Sequence, residues 1–167
     1  SGFYYKTFMG PATGSWLFYE PFIRRAAGLG TAASAADPDR YATRHEFCDV
    51  LVVGSGPAGL AAALTAGRSG ARVVLAEQDS ELGGSLLAGN EEFDNAWLSA
   101  CAAELAAIPN VKLRTRTTVQ GLYDGNLAVL VERRDHLKPD PRKGQPREVL
   151  VSLRCKAIVH ATGAIER

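Results

Sequence analysis

Three glycines and one acid are the residues here whose types and spacing specify a chemistry. Gly54, Gly56 and Gly59 form a G-x-G-x-x-G turn directly after the apolar run Val50 to Val53, and Glu77 ends a second apolar run. Gly54 permits the tight strand-to-helix turn, Gly56 lets backbone approach a pyrophosphate, and Gly59 lets the helix pack closely on the strand. The helix start adds unpaired amides and the positive end of a dipole, which favour a phosphate. Glu77 lies roughly 20 residues on, where such a motif needs a carboxylate for the adenosine ribose. A carboxylate there accepts hydrogen bonds from both ribose hydroxyls and repels a 2′-phosphate. The set predicts NAD or FAD rather than NADP, and does not separate the first two.

The elements that must position these residues are legible around them. Val50 to Val53 is a continuous apolar run, as a parallel strand buried on both faces requires. Pro57 suits a first helical turn. Residues 58 to 69 are rich in Ala and Leu, and Gly70 is the expected helix stop. Arg72 to Ala76 reads as the second strand, and Val111 to Arg114 as the third. Between them Trp97, Leu98, Cys101 and Leu105 recur at helical spacing, predicting a helix over 94–107. Three strand-like runs follow, at 117–123, 126–134 and 147–155, with Asp124-Gly125 as a hairpin signal. The polar, proline-bearing stretch 135–146 reads as an exposed connection. Ala157 to His160 reads as a further buried strand leading into Ala161-Thr162-Gly163. The expected fold class is α/β, a Rossmann-like FAD/NAD(P)-binding fold. Its parallel sheet carries helices and a three-stranded antiparallel β-meander crossover, and the domain is partial.

Composition narrows the partners. At 167 residues with net charge +1, the chain has no basic footprint for nucleic acid. The apolar-leaning stretch at 57–66 is too short to span a bilayer, and no signal peptide opens the chain. No membrane or nucleic-acid partner is expected. Cys48, Cys101 and Cys155 are far apart in sequence with no C-x-x-C pair, which predicts buried, reduced thiols and a cytoplasmic location. His45, His136 and His160 share no ligand spacing, so no metal site is expected. Arg133 and Arg134 read as a solvated strand end, and the charges from Lys138 to Arg147 as a solvated loop.

Residues 1–46 differ from the rest. Phe3, Tyr4, Tyr5, Phe8, Trp16, Phe18, Tyr19 and Phe22 crowd into this arm, and an Ala/Ser/Asp/Pro linker closes it. Pro21 is costly inside a helix and favourable at its first position, which predicts a helix from Pro21 to Gly28 or Gly30. That places Phe22, Ile23 and Ala26 on one face. The dinucleotide-binding domain is expected over 47–167, truncated at its C-terminal end. Because the chain begins at Ser1 and stops at Arg167, it is expected to be a piece of a longer protein.

The G-x-G-P-A-G turn, the acid after the second strand, Gly83-Gly84, the meander and Ala161-Thr162-Gly163 together resemble the two-dinucleotide-binding-domain flavoprotein superfamily. The arm narrows the likeness. Gly2-Phe3-Tyr4-Tyr5-Lys6-Thr7-Phe8, Trp16, Tyr19-Glu20-Pro21, Ile23-Arg24 and Ala27-Gly28-Leu29-Gly30 resemble the alpha subunit of heterotetrameric sarcosine oxidase. Glu81 to Leu87 and His160 to Arg167 are similar to the same family. The resemblance implies a complex that oxidatively demethylates sarcosine to glycine with O2. Its other products are hydrogen peroxide and formaldehyde or 5,10-methylenetetrahydrofolate. It implies NAD in this segment, FAD in the beta subunit and FMN between alpha and beta. Beta, gamma and delta subunits are the implied partners, with tetrahydrofolate bound by another part of the chain.

Carried over by motif, Gly54, Gly56, Ala58 and Gly59 would contact the pyrophosphate, Pro57 would belong to the same cofactor site, and Glu77 and Gln78 would contact the ribose. Ser85 would lie nearby, Val119 near the adenine, and Thr162 and Gly163 at the last strand's end. Gln78 and Asp79 depart from the superfamily's frequent pattern of an acid followed by a basic residue. No catalytic residue is assigned. Two other readings stay open: FAD in this site, as half of a pyridine-nucleotide-dependent flavoprotein oxidoreductase, and a non-catalytic scaffold subunit.

Overall fold

The computed structural model describes residues 14–28, 30, 34–89 and 92–164, in two compact units divided after Pro38. In the first, helix α1 spans Ser15–Ala26 and is entered through Gly14, whose φ of 100° is left-handed. The helix therefore begins six residues before Pro21, contrary to the start expected there. Proline removes the donor that would reach the Leu17 carbonyl, a loss offset by water because Leu17 is 76% exposed. Arg24 meets Glu20 one turn back at 2.6 Å, and Phe18 packs edge-on against Tyr19. No residue of α1 is buried, so the expected inner face of Phe22, Ile23 and Ala26 is not formed in this unit. Phe3, Tyr4, Tyr5 and Phe8 lie outside the described residues.

The second unit is a mixed sheet of six described strands. They are β1 (Tyr41–Val53), β2 (Val73–Ala76), β3 (Val111–Arg114), β4 (Thr117–Tyr123), β5 (Leu127–Arg133) and β6 (Glu148–His160). The order is β3-β2-β1-β6-β5-β4. β1, β2, β3 and β6 run parallel, while β4, β5 and β6 form the antiparallel meander. Helices α2 (Pro57–Arg68) and α3 (Glu92–Ala107) make the crossovers. This is the expected architecture, with two corrections. β1 starts at Tyr41, so its first six residues fall in the stretch read above as arm and linker. The meander's third strand and the final strand, expected as separate elements at 147–155 and 157–160, are one continuous strand. At Lys156 the β1 ladder skips one pair, opposite Asp49, and resumes at Ala157 in the same register, so the strand runs on. One half of β6 pairs with β5, and almost all of it pairs with β1.

The core explains the apolar runs. Consecutive strand residues face opposite sides. Leu51, Val74 and Ala76 point to one face, where they meet Ala128, Leu130, Val149, Val151 and Leu153 of the meander. Val52, Val73 and Leu75 point to the other, against Leu60, Ala63 and Leu64 of α2 and Cys101 and Leu105 of α3. Neighbouring strands are about 4.8 Å apart, so in a flat sheet β3 and β5 stand far out of reach. Arg114 of β3 nonetheless comes within 3.4 Å of Glu132 of β5. The sheet is therefore curled, and its meander covers the face that the helices leave open.

Candidate dinucleotide-binding site

The strand order reverses direction between β1 and β6, and in open α/β sheets ligands bind beyond the strand ends at such a switch point. Here a cavity of about 780 Å³ opens at those ends. Gly54, Gly56, Pro57 and Ala58 form one wall, Glu77 and Gln78 a second, and Ser85, Val119, Thr162 and Gly163 contribute from three further segments. Of the residues singled out in the sequence, only Gly59 does not line it. Gly59 sits beneath, where an added Cβ would lie 2.0 Å from the Gly54 carbonyl oxygen.

The three glycines thus separate by physical cause. Gly54 has φ 95°, and a Cβ there would lie 2.4 Å from the Ala161 carbonyl oxygen. Gly56 has φ −64° and nothing of the described protein within 4 Å of where its Cβ would stand. No contact among the described residues explains a glycine at 56, whereas a pyrophosphate approaching the backbone does. Pro57 then opens α2 at its first position, as expected. On these grounds the residues present fit a dinucleotide.

Glu77 is only 6% exposed. Its Oε2 accepts from the Ser55 amide at 2.8 Å and the Ser55 hydroxyl at 2.6 Å, and its Oε1 accepts from the Asp79 amide at 3.0 Å. Burial by itself raises such a carboxyl. The Ser55 hydroxyl and the amides of Asp79, Ser55 and Gln78 outweigh that and hold it below its ordinary value. Both Ser55 donors fall on Oε2, so Oε1, beside the Asp79 amide, is the oxygen with room for a ribose hydroxyl.

Several members were not singled out from sequence. Ser55 occupies a variable position of the motif, which carries no signal. Thr117 and Thr118 reach the cavity because β4 starts beside the end of β2: the Thr117 amide donates to the Glu77 carbonyl at 2.7 Å. His160 lines the cavity from the end of β6. Arg133, read above as a solvated strand end, donates to the Gln78 carbonyl at 2.9 Å and fastens the turn that follows Glu77. Arg72 lies at the opposite end of β2, held by Asp49 and stacked over Phe47. No three His, Cys, Asp or Glu side chains among the described residues gather to hold a metal ion, and no described helix is long and apolar enough to cross a membrane.

Comparison with known proteins places this geometry. Residues 49–153 match the family of FAD dependent oxidoreductases. The whole chain is 48% identical to part of the sarcosine oxidase subunit alpha of Rhizobium meliloti (strain 1021), spanning 17% of that protein. The same subunit of Corynebacterium sp. (strain P-1) is 48% identical over 84% of the chain, spanning 15% of its length. Among solved structures, L-proline dehydrogenase from P. horikoshii superposes with a TM-score of 0.58 at 25% identity. That match covers 74% of this chain and 24% of the dehydrogenase. The chain belongs to the FAD dependent oxidoreductase family and is similar along its full length to sarcosine oxidase alpha subunits.

Proposed function

We propose that this chain is the NAD-holding segment of a sarcosine oxidase alpha subunit. The observation that carries this reading is the extent of the similarity. Identity of 48% to the alpha subunit runs through the entire chain, including the arm before residue 49 that lies outside the family match. In this reading the Gly54 to Gly59 loop and the start of α2 receive the pyrophosphate, and Glu77 takes a ribose hydroxyl. Gln78, Ser85, Val119, Thr162 and Gly163 complete the walls. The chemistry NAD supplies when bound is hydride exchange at its nicotinamide. What this chain's residues do is bind and orient the nucleotide and exclude a 2′-phosphate. Oxidative demethylation of sarcosine by O2, with FAD and FMN and with beta, gamma and delta subunits, is assigned to the assembled complex in the cytoplasm. No residue of this segment is given a role in amine oxidation.

The second reading is FAD in the same cavity. The family description favours it, since the matched family is named for FAD. The deciding experiment is to purify the protein, record its visible spectrum and identify the released nucleotide by mass spectrometry. NAD released without flavin absorbance from this segment supports the first reading, and FAD released from it overturns the NAD assignment.

A further inference from the structure

Ser55 carries no assigned role in the motif, yet it is fully buried and joins its own loop to Glu77 and to the Gly83 turn. Its hydroxyl donates to Glu77 Oε2 at 2.6 Å and accepts from the Gly83 amide at 3.1 Å. Its own amide donates to the same Glu77 oxygen at 2.8 Å. A hydroxyl has one proton to give, so these bonds set a direction: Gly83 amide to Ser55 hydroxyl to Glu77 carboxylate. Oε2 is thereby fully occupied. Gly83 and Gly84, with φ of 134° and 54°, turn the chain so that Ser85 lines the cavity.

We propose that Ser55 is a positioning residue for dinucleotide recognition: its buried hydroxyl pins Glu77 Oε2, so that the ribose is met through Oε1, and it ties Glu77 to the Gly83 turn. The inference rests on the reading that this cavity holds a dinucleotide. The hydroxyl steadies the fold as a donor to a buried carboxylate, but the turn does not depend on it. Without it the Gly83 amide keeps a second acceptor, the Ser55 carbonyl at 3.0 Å, and Glu77 keeps the Ser55 amide. Alanine also fits the space that serine fills. What the hydroxyl adds is a second donor on one oxygen of a buried carboxylate, which fixes its rotation.

The test uses the full-length chain with the subunits that purify with it, freed of nucleotide, titrated with NAD and in parallel with FAD. Ser55→Ala, Glu77→Gln and the double variant are compared. The titratable and charged groups at this corner are Asp79 on the same turn, Arg116 before β4, Arg133 on β5 and His160 at the end of β6. Glu77→Gln separates the contribution of Glu77 to any pH dependence from theirs. Ser55→Ala is expected to bind about tenfold more weakly near neutral pH, because Glu77 is no longer held with Oε1 free for the ribose. Its affinity should also begin to fall at a higher pH than that of the unaltered protein, because the carboxylate has lost a stabilising donor. The double variant should bind no more weakly than Glu77→Gln, and nucleotide-free Ser55→Ala should melt only a few degrees lower, the cost of one donor to a buried carboxylate. Unaltered affinity and pH profile in Ser55→Ala, alongside loss of binding in Gly56→Ala, overturn the role of Ser55 and leave the site intact. If the unaltered protein binds neither nucleotide, the reading of the cavity fails, and the role of Ser55 fails with it.

Discussion

Arg114 Nη2 lies 2.7 Å from both carboxylate oxygens of Glu46, a residue 68 positions away in sequence. The guanidinium, 13% exposed, also reaches Glu132 at 3.4 Å. It therefore bridges β3 to β1 and β5, fastening the curled meander over the parallel strands. Burial pushes the Glu46 carboxyl up, but the hydrogen bonds and charges of Arg114 and Lys112 outweigh it and hold the group below its ordinary value.

Arg114→Met leaves Glu46 without its main partner and should cost about 2 kcal/mol. Chemical denaturation of Arg114→Met, Glu46→Gln and the double variant should show strong coupling. Glu46 is lowered on folding, so its contribution is complete above its unfolded value and is lost as pH falls through its folded one. The stability difference between Arg114→Met and the unaltered protein should therefore shrink in acid. A difference constant with pH would deny the ion pair this part.

Gly56→Ala and Gly59→Ala separate binding from folding. An alanine at 56 meets open space at an ordinary φ, so stability should stay within about 0.5 kcal/mol while nucleotide retention falls. An alanine at 59 meets backbone at 2.0 Å and should cost about 3 kcal/mol or prevent folding. Melting curves paired with nucleotide titrations distinguish them. Equal destabilisation by both variants would contradict this division of labour.

Lone-pair accounting at Glu77 predicts unequal losses for two nucleotide analogues. With Oε2 taken by two Ser55 donors and only Oε1 left for the ribose, removing one ribose hydroxyl of the adenosine half should weaken binding about tenfold and removing the other should matter far less. Calorimetry with the 2′-deoxy and 3′-deoxy forms measures this, and equal losses count against it. The 2′-phosphorylated nucleotide should bind at least about a hundredfold more weakly, because like charges meet in a half-closed site.

Cys48 and Cys155 are register partners on β1 and β6, both buried, and the neighbouring thiols interact. Burial first, then the facing Cys155, pushes the Cys48 thiol up to about 12, and burial also raises Cys155 and Cys101. The thiolate is the reactive form, so all three should resist alkylation in the native protein at pH 8 and react together on unfolding. Peptide mass mapping after iodoacetamide checks this. Rapid native labelling of Cys48 would show that the strand pair opens.

The site's frame was legible because each part rests on a local requirement. The Gly54 to Gly59 turn needs glycines at fixed positions, Pro57 needs a helix start, and Val111 to Arg114 and Thr117 to Tyr123 alternate as strands at the bounds observed. The strand–turn–helix, the acid after β2 and the meander were set by sequence alone, since these follow from side-chain size, φ preference and period.

Only the tertiary structure decided what depends on distance. It made one strand of Glu148–His160, because pairing with β1 resumes in the same register at Ala157 after the one unpaired position at Lys156. It brought Cys48 to Cys155 and Arg114 to Glu46, pairings that no spacing encodes. It also let α1 run through Pro21, where exposure makes the missing hydrogen bond tolerable. And it gave Ser55 its bonds to Glu77 and Gly83, because a hydroxyl's partners are set by which loops the fold gathers around it.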